Sequence, residues 1–446
     1  MNATSQDQPR SMVPFFVIWT GQAFSLLGSQ LVQFALIWWL TESTGSATVL
    51  ATASLVGLLP QVVFGPLVGT LVDRWNRRVT MIVADSIIAL AIVGLAALFW
   101  MDAAQIWHVY LLMFIRATAG GFHWSAMSAS ISLMVPKEHL SRVQGLNQTL
   151  QGLLNIASAP LGALLLGILP MQGVLAIDVG TAMFAILPLF FIPVPQPQRR
   201  ETPETAGSAK PSVWQDLREG LRYVRSWPGL LIILLMATVI NLVLSPAFSL
   251  LPILVTDHFA GGAVQLGWLE SAFGIGVVLG GLALSVWGGF RRRILTSLMG
   301  VVGAGLGVTL LGLTPGTALG LAVGAILFVG FTLPLANGPL HAVVQVAVVP
   351  EMQGRVFALM ASLSGAMSPL GLSIAGPVAD ALGVRTWFLV GGGVTVIMGL
   401  ASFFVPAVMH IEDNHRDAGA IKPVSSESTA DQPALKKEME GEWTNA

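Results

Sequence analysis

GPLVGTLVDRWNRR, residues 65–78, ends a long apolar run with Asp73 and Arg74, then adds Arg77 and Arg78. Residues 47–72 before the charges contain no Asp, Glu, Lys or Arg, and residues 79–101 after them contain one, Asp85. Each flank is long enough to cross a bilayer, which takes about 20 mostly apolar residues in a helix. The stretch reads as a charged hinge too short to be a domain boundary, joining two membrane spans. The question it raises is whether the charges only anchor the hinge or belong to a moving part.

The same ruler, carried along the chain, gives twelve spans: 13–40, 47–72, 79–101, 105–134, 143–168, 172–193, 227–255, 263–289, 294–313, 317–349, 356–380 and 386–409. Composition agrees: of 446 residues 54% are hydrophobic and 10% charged, against about 25% charged in soluble domains. The run from Val13 to Leu40 exceeds a signal-peptide core of about 7–15 residues and is read as the first permanent helix. Proline inside spans (Pro160, Pro246, Pro334, Pro369) is compatible with helices here, because neighbouring helices satisfy the freed backbone groups. A net charge of −1 points to no nucleic acid. The absence of cysteine excludes disulfides, thiolate metal sites and cysteine nucleophiles, and nothing suggests a metal or cofactor.

Charge placement sets the expected topology. With the N-terminus inside, all but two of the 22 Lys and Arg residues fall in inside segments, the exceptions being Arg116 within a span and Arg385 outside. That asymmetry is the positive-inside pattern and supports an even number of spans with both termini cytoplasmic. The one long internal loop divides the chain. The expected organisation is a cytoplasmic N-terminus (1–12), a six-helix bundle (13–193), a cytoplasmic linker (194–226), a second six-helix bundle (227–409) and a disordered cytoplasmic tail (410–446). Within the linker, Trp214, Leu217, Leu221 and Val224 share a helical face beside Arg218, Arg222 and Arg225, as in an amphipathic helix lying at the inner surface. The halves also echo each other. Glu138, Arg142 and Val143 follow span four, and Glu351, Arg355 and Val356 follow span ten with the same internal spacing. Six plus six with a long inside connection is the plan of two parallel repeats.

Here the opening stretch acquires a relative. Gly69-x-x-x-Asp73-Arg74-x-x-Arg77-Arg78 resembles the element between the second and third helices of the major facilitator superfamily, with Asn76 where that family often has Gly. Arg116-Ala-Thr-Ala-Gly120 resembles the family's fourth-helix R-x-x-q-G element. The fifth-span antiporter element is degenerate, with Asn155, Pro160 and Ala163 in its places. WTGQAFSLL, ASLVGLLPQVVFGP, FIRATAGGFH and QGRVFALMASL together are similar to the macrolide-efflux, Mef-type branch. The likeness covers residues 13–409 and stops at the tail. It implies an all-α membrane protein of twelve transmembrane helices in two pseudo-symmetric six-helix bundles, exporting hydrophobic or cationic drugs, macrolides foremost, across the bacterial inner membrane in exchange for protons. It also implies that Asp73 meets the N-terminal end of a helix in the other half and locks the outward-open state.

Each buried ionisable group is a functional candidate, because lipid penalises it. Anchoring explains Arg74, Arg77 and Arg78 but neither Asp73 nor Gly69 one turn earlier, so these five are read as a gate. By helix rise, Arg116 lies about 16 Å inside span four, where an uncompensated Arg costs at least about 2.5–3.5 kcal/mol. Either it caps carbonyls or it holds a proton-carrying carboxylate, with Gly120 admitting a close neighbour. Asp178 and Glu270 sit about 10 Å deep. Burial favours a neutral carboxyl, as proton coupling requires; such acids could equally attract a cationic drug or face water. His123 is a candidate proton shuttle or a plain hydrogen-bond donor. Asp85 is expected to support the charged gate and Asp380 to be solvated. Trp124, Met127, Phe248 and Trp268 are candidates for an apolar drug pocket, and Trp38, Trp39, Trp100 and Trp107 for a membrane belt.

No H-E-x-x-H pair and no P-loop is present, which argues against a membrane enzyme and a self-contained ATP-driven pump. Whether an accessory ATP-binding protein joins the chain is not legible in the sequence, and a monomer is expected. The alternatives to drug export are export of another metabolite, such as a siderophore, and a non-transporting receptor derived from a transporter.

Overall fold

The computed structural model describes residues 12–72, 75–136, 139–196 and 213–412. Asp73 and Arg74 of the expected gate, and most of the tail, lie outside them. The apolar runs form α1 (Val13–Thr44), α2 (Ala47–Val72), α3 (Arg77–Trp100), α4 (Ile106–Met134), α5 (Leu140–Ile168) and α6 (Met171–Phe191). After α7 (Val213–Arg225) come α8 (Pro228–Ser249), α9 (Leu251–Ile253), α10 (Ala263–Trp287), α11 (Arg293–Leu313), α12 (Leu319–Ala347), α13 (Pro350–Leu382), α14 (Val384–Phe403) and α15 (Pro406–Met409). Helix is the element that satisfies every backbone N–H and C=O within one segment, as a membrane interior demands.

Eleven of these helices are long and apolar enough to cross a membrane. The expectation of twelve differs by one, and the reason is α4. It is helical over 29 residues, but His108, Arg116 and His123 dilute its apolar character below that of the others. The expected seventh span also ends early. Pro252 follows Ser249 closely, and the chain continues as α9 and a π-helical turn, Leu254–His258.

Helix pairing repeats between the halves. α1 packs on α5 and α6, α2 on α4, and α3 on α4 and α6; correspondingly, α8 packs on α13 and α14, α10 on α12, and α11 on α12 and α14. The two principal crossings between halves, α2 on α13 and α5 on α10, exchange under the same correspondence. Linker helix α7 rests on α13 rather than on lipid alone: Arg355 Nη1 lies 3.0 Å from Glu219 Oε2, and Val224 is buried in the second half's core. Leu221, expected on the same apolar face, is exposed.

The core shows how the halves sit. At the end of the molecule away from Arg77 and Arg78, one apolar cluster runs through both halves, from Phe34, Leu50, Leu112 and Ala163 to Leu254, Leu269, Ile326 and Phe388. At the basic end the core splits in two. Phe15, Met81, Ile131 and Leu189 belong to the first half alone, and Ile233, Leu298, Val344 and Val356 to the second. The molecule is joined at one end and parted at the other.

Candidate functional site

A cavity of about 870 Å³ lies in the first half, between α1, α2, α4 and α5, on the parted side. Trp19, Phe64, Trp124 and Met127 supply apolar surface, and Gln22, Gln61, Gln144, Asn147, Gln148 and Gln151 supply carboxamides. Trp19 Nε1 donates to Asn147 Oδ1 at 2.7 Å, linking α1 to α5 inside the cavity. The sequence reading found Trp124 and Met127 but missed this belt of amides. The signal was available in QGLNQTLQG (residues 144–152), where amides recur every three to four positions.

Behind the cavity wall, α1, α3, α4 and α6 bring four ionisable groups together. Arg116 Nη2 donates to the Ser29 carbonyl at 2.8 Å, and the Ser29 hydroxyl donates to Asp178 Oδ1 at 3.3 Å. Arg116 and Asp178 are near enough for their charges to attract. Asp178 is 1% exposed. Arg116 caps a carbonyl, as one reading had it, and stands in the field of Asp178 with Ser29 between them; Arg116 Nη1 and Asp178 Oδ2 have no hydrogen-bond partner among the described residues. The close approach of α6 to α1 rests on Gly28: a Cβ there would collide with Thr181 Oγ1 and come within 2.8 Å of Asp178 Oδ1.

One step toward the cavity, Gln22 Nε2 donates to Asp85 Oδ2 at 3.3 Å, and His123 Nε2 lies 3.6 Å from the same oxygen. Asp85 is 8% exposed. It was expected to support the charged hinge; it instead faces His123, which lines the cavity. The hinge arginines have other partners. Arg77 Nη1 donates to the Ala129 carbonyl at 2.7 Å, and Arg78 donates to the carbonyls of Leu189 and Phe190, placing a cation at the C-terminal end of α6, where the helix dipole favours it. Asn76, at the family's Gly position, caps α3 by accepting from Val79 N. Gly120 admits no close neighbour, since a Cβ there would meet nothing within 4 Å; it lines the cavity.

The remaining candidates lie apart. Glu270, on α10, makes no hydrogen bond or ion pair with the described residues, and neither it nor Trp268 lines the cavity. Phe248 packs on Phe273 with ring centroids 5.0 Å apart, at the rim of the shared core. Of the expected membrane belt, Trp100 and Trp107 are exposed, whereas Trp38 is buried in that same core.

The joined end carries a contact the sequence did not suggest. Asp380, at the end of α13, accepts from Ala47 N at 2.7 Å, Thr48 N at 3.0 Å and Ser46 Oγ at 3.0 Å. It is exposed, as expected, and at the same time it caps the N-terminus of α2 across the interface. One turn earlier, a Cβ on Gly376 would stand 2.8 Å from the Thr48 Cα, so the backbones of the two helices nearly touch. On the other crossing, Ser271 Oγ donates to the Ile156 carbonyl at 3.0 Å.

Comparison with known proteins places this arrangement. Residues 18–372 match the model of the Major Facilitator Superfamily. The chain is 35% identical to Macrolide efflux protein A of Streptococcus pyogenes over 386 residues, covering 86% of this chain and 94% of that protein. It is 27% identical to Multidrug efflux pump Tap of Mycolicibacterium fortuitum, with the same coverage. Among solved structures, a D-xylose-proton symporter aligns with a TM-score of 0.62 at 13% identity, covering 89% of this chain and 98% of the other. A POT family transporter aligns with a TM-score of 0.66 at 11% identity, covering 90% and 96%. Over most of its length, then, the chain belongs to the major facilitator superfamily and is a multi-pass membrane transporter.

Proposed function

We propose that the protein exports amphiphilic, cationic drugs, macrolides among them, from the cytoplasm of a bacterial cell in exchange for protons. The basic end faces the cytoplasm by the positive-inside pattern. The described state is then open inward, with its cavity reached from the cytoplasm. The observation that carries the reading is the divided core: one apolar cluster shared at the closed end and two separate clusters at the open end. Rocking of one bundle against the other would close the basic end and part the contacts of Asp380 and Ser271, exposing the same cavity outward.

The cavity suits an amphiphile. Trp19, Phe64 and Trp124 cover apolar rings, while the Gln and Asn side chains offer both donors and acceptors. Buried Asp85 and Asp178, with half-buried His123 and Arg116 beside them, supply a cluster of ionisable groups from which proton exchange can draw. Gly69, Asp73, Arg74, Arg77 and Arg78 act as the inner gate, a role supported by their likeness to the family's hinge element. Macrolides are favoured by the 35% identity to Macrolide efflux protein A, and a wider drug range by the likeness to Multidrug efflux pump Tap.

The test is an antibiotic susceptibility panel comparing cells that express the protein, empty-vector cells and cells expressing Asp73→Ala. Macrolide tolerance is expected to rise with the wild type and to fall back in the variant. No shift for any macrolide would remove the substrate assignment.

A further inference from the structure

Charge counting in the first half leads past a general requirement for protons. Arg116 does not give up its proton in a protein, so its buried charge permanently requires an anion. Asp178 meets that requirement: it is the acid whose charge Arg116 feels, and the two share Ser29 as an intermediary. Asp85 is then the second buried acid, close enough to repel the first, and its own polar neighbours are Gln22 and His123. Gln22 carries no charge. The four groups sum to −1 when His123 is neutral and to zero when the Asp85–His123 pair holds a proton.

Access separates the two pairs. Asp178 is sealed at 1% exposure. His123 is the only ionisable side chain among the described residues that line the cavity. From the elements packed around Asp85, the ionisable groups that face it are His123 on α4 and Asp178 on α6, with Arg116 on α4 facing Asp178; α1 contributes the neutral Gln22.

We infer that the first half holds one exchangeable proton, that it resides on the Asp85–His123 pair at the cavity wall, and that Arg116–Asp178 is a fixed pair that does not exchange. The inference rests on the proton-coupled reading above and assigns its site. A cation entering the cavity is repelled by the imidazolium and attracted by the Asp85 carboxylate. Its arrival breaks an N–H bond of His123, and the proton passes to cavity water. The cation then offsets the Asp85 charge that the proton had offset. When the cavity faces outward the exchange runs in reverse. His123 is suited to this role because an imidazole can take up a proton and pass it to water. Asp85 positions the imidazole and fixes the charge that cation and proton compete for.

The test adds erythromycin or tetraphenylphosphonium to the purified full-length protein in weakly buffered detergent and counts protons with a pH indicator. Tetraphenylphosphonium cannot itself release a proton, so any proton counted with it comes from the protein. The wild type is expected to release about one proton per chain on binding, and D85N and H123Q none while still binding a probe. Substrate counterflow, driven by drug alone, is expected to be weakened in both variants, since each alters the pair the cation meets, yet to stay above the level of empty liposomes, which a misfolded protein would not reach. Release by D85N equal to the wild type overturns the inference and leaves proton-coupled export standing. Binding to the wild type without release overturns both. A ligand-free arm follows the labelled imidazole of His123 by NMR against pH, in wild type and D85N. Its titration is expected to change when Asp85 is removed, and identical curves overturn the inference even if neither probe binds.

Discussion

Asp178→Asn leaves Arg116 as a buried cation without its carboxylate. Removing one partner of a buried ion pair costs about 3–5 kcal/mol, so this variant is expected to lose thermal stability sharply in detergent. Replacing both members with apolar residues, Arg116→Met with Asp178→Leu, is expected to recover most of that loss. A double variant as unstable as the single one would show that the charges are not paired. Gly28→Val adds atoms where Thr181 and Asp178 already stand; overpacking of this kind costs about 1–3 kcal/mol, read in the same unfolding assay. Arg116 and Asp178 were legible in the sequence because a charge inside an apolar run must find a partner. Asp85 was misread because its neighbours Gln22 and His123 come from α1 and α4, and only the packing of α3 between them shows which face of the helix it occupies. Asn76 was noted as a departure from the family's hinge, yet its local role as the α3 cap follows from residue type alone, since Asn is a favoured N-cap.

Between elements, the joined end carries the packing of α13 on α2. Asp380 places a carboxylate on the two leading N–H groups of α2, an interaction worth about 0.3–1 kcal/mol and up to about 2 when partly buried. Asp380→Ala is expected to loosen the joined end. Spin labels at Glu42 and Leu382, both exposed positions there, are expected to report a larger population of long distances in the variant than in the wild type. An unchanged distribution would mean that the shared core alone holds this end shut. The helices themselves were largely legible, since about 20 apolar residues in a bilayer have almost no alternative to helix. α4 is the exception in degree: its ionisable side chains His108, Arg116 and His123 lower its apolarity, so a span that carries candidate site residues is also the least membrane-like. A helix, α7, stands where the linker's spacing suggested one, but its docking on α13 through Glu219 and Arg355 depends on a partner more than a hundred residues away.

Across the whole molecule, two halves were readable from the long charged loop and from the echo of Glu138-to-Val143 in Glu351-to-Val356. Which end is shut was not, because an alternating machine has one sequence and at least two packings, separated by a small free-energy difference. The central claim is that the halves rock about a cavity that stays in place. Two distances in the lipid-embedded protein test it together: labels at Arg142 and Trp287 across the parted basic end, and labels at Glu42 and Leu382 across the joined end, with and without erythromycin. The account predicts opposite changes, the basic-end distance shortening as the other lengthens. Two distances that rise together, or that both stay fixed while drug is being transported, would contradict it.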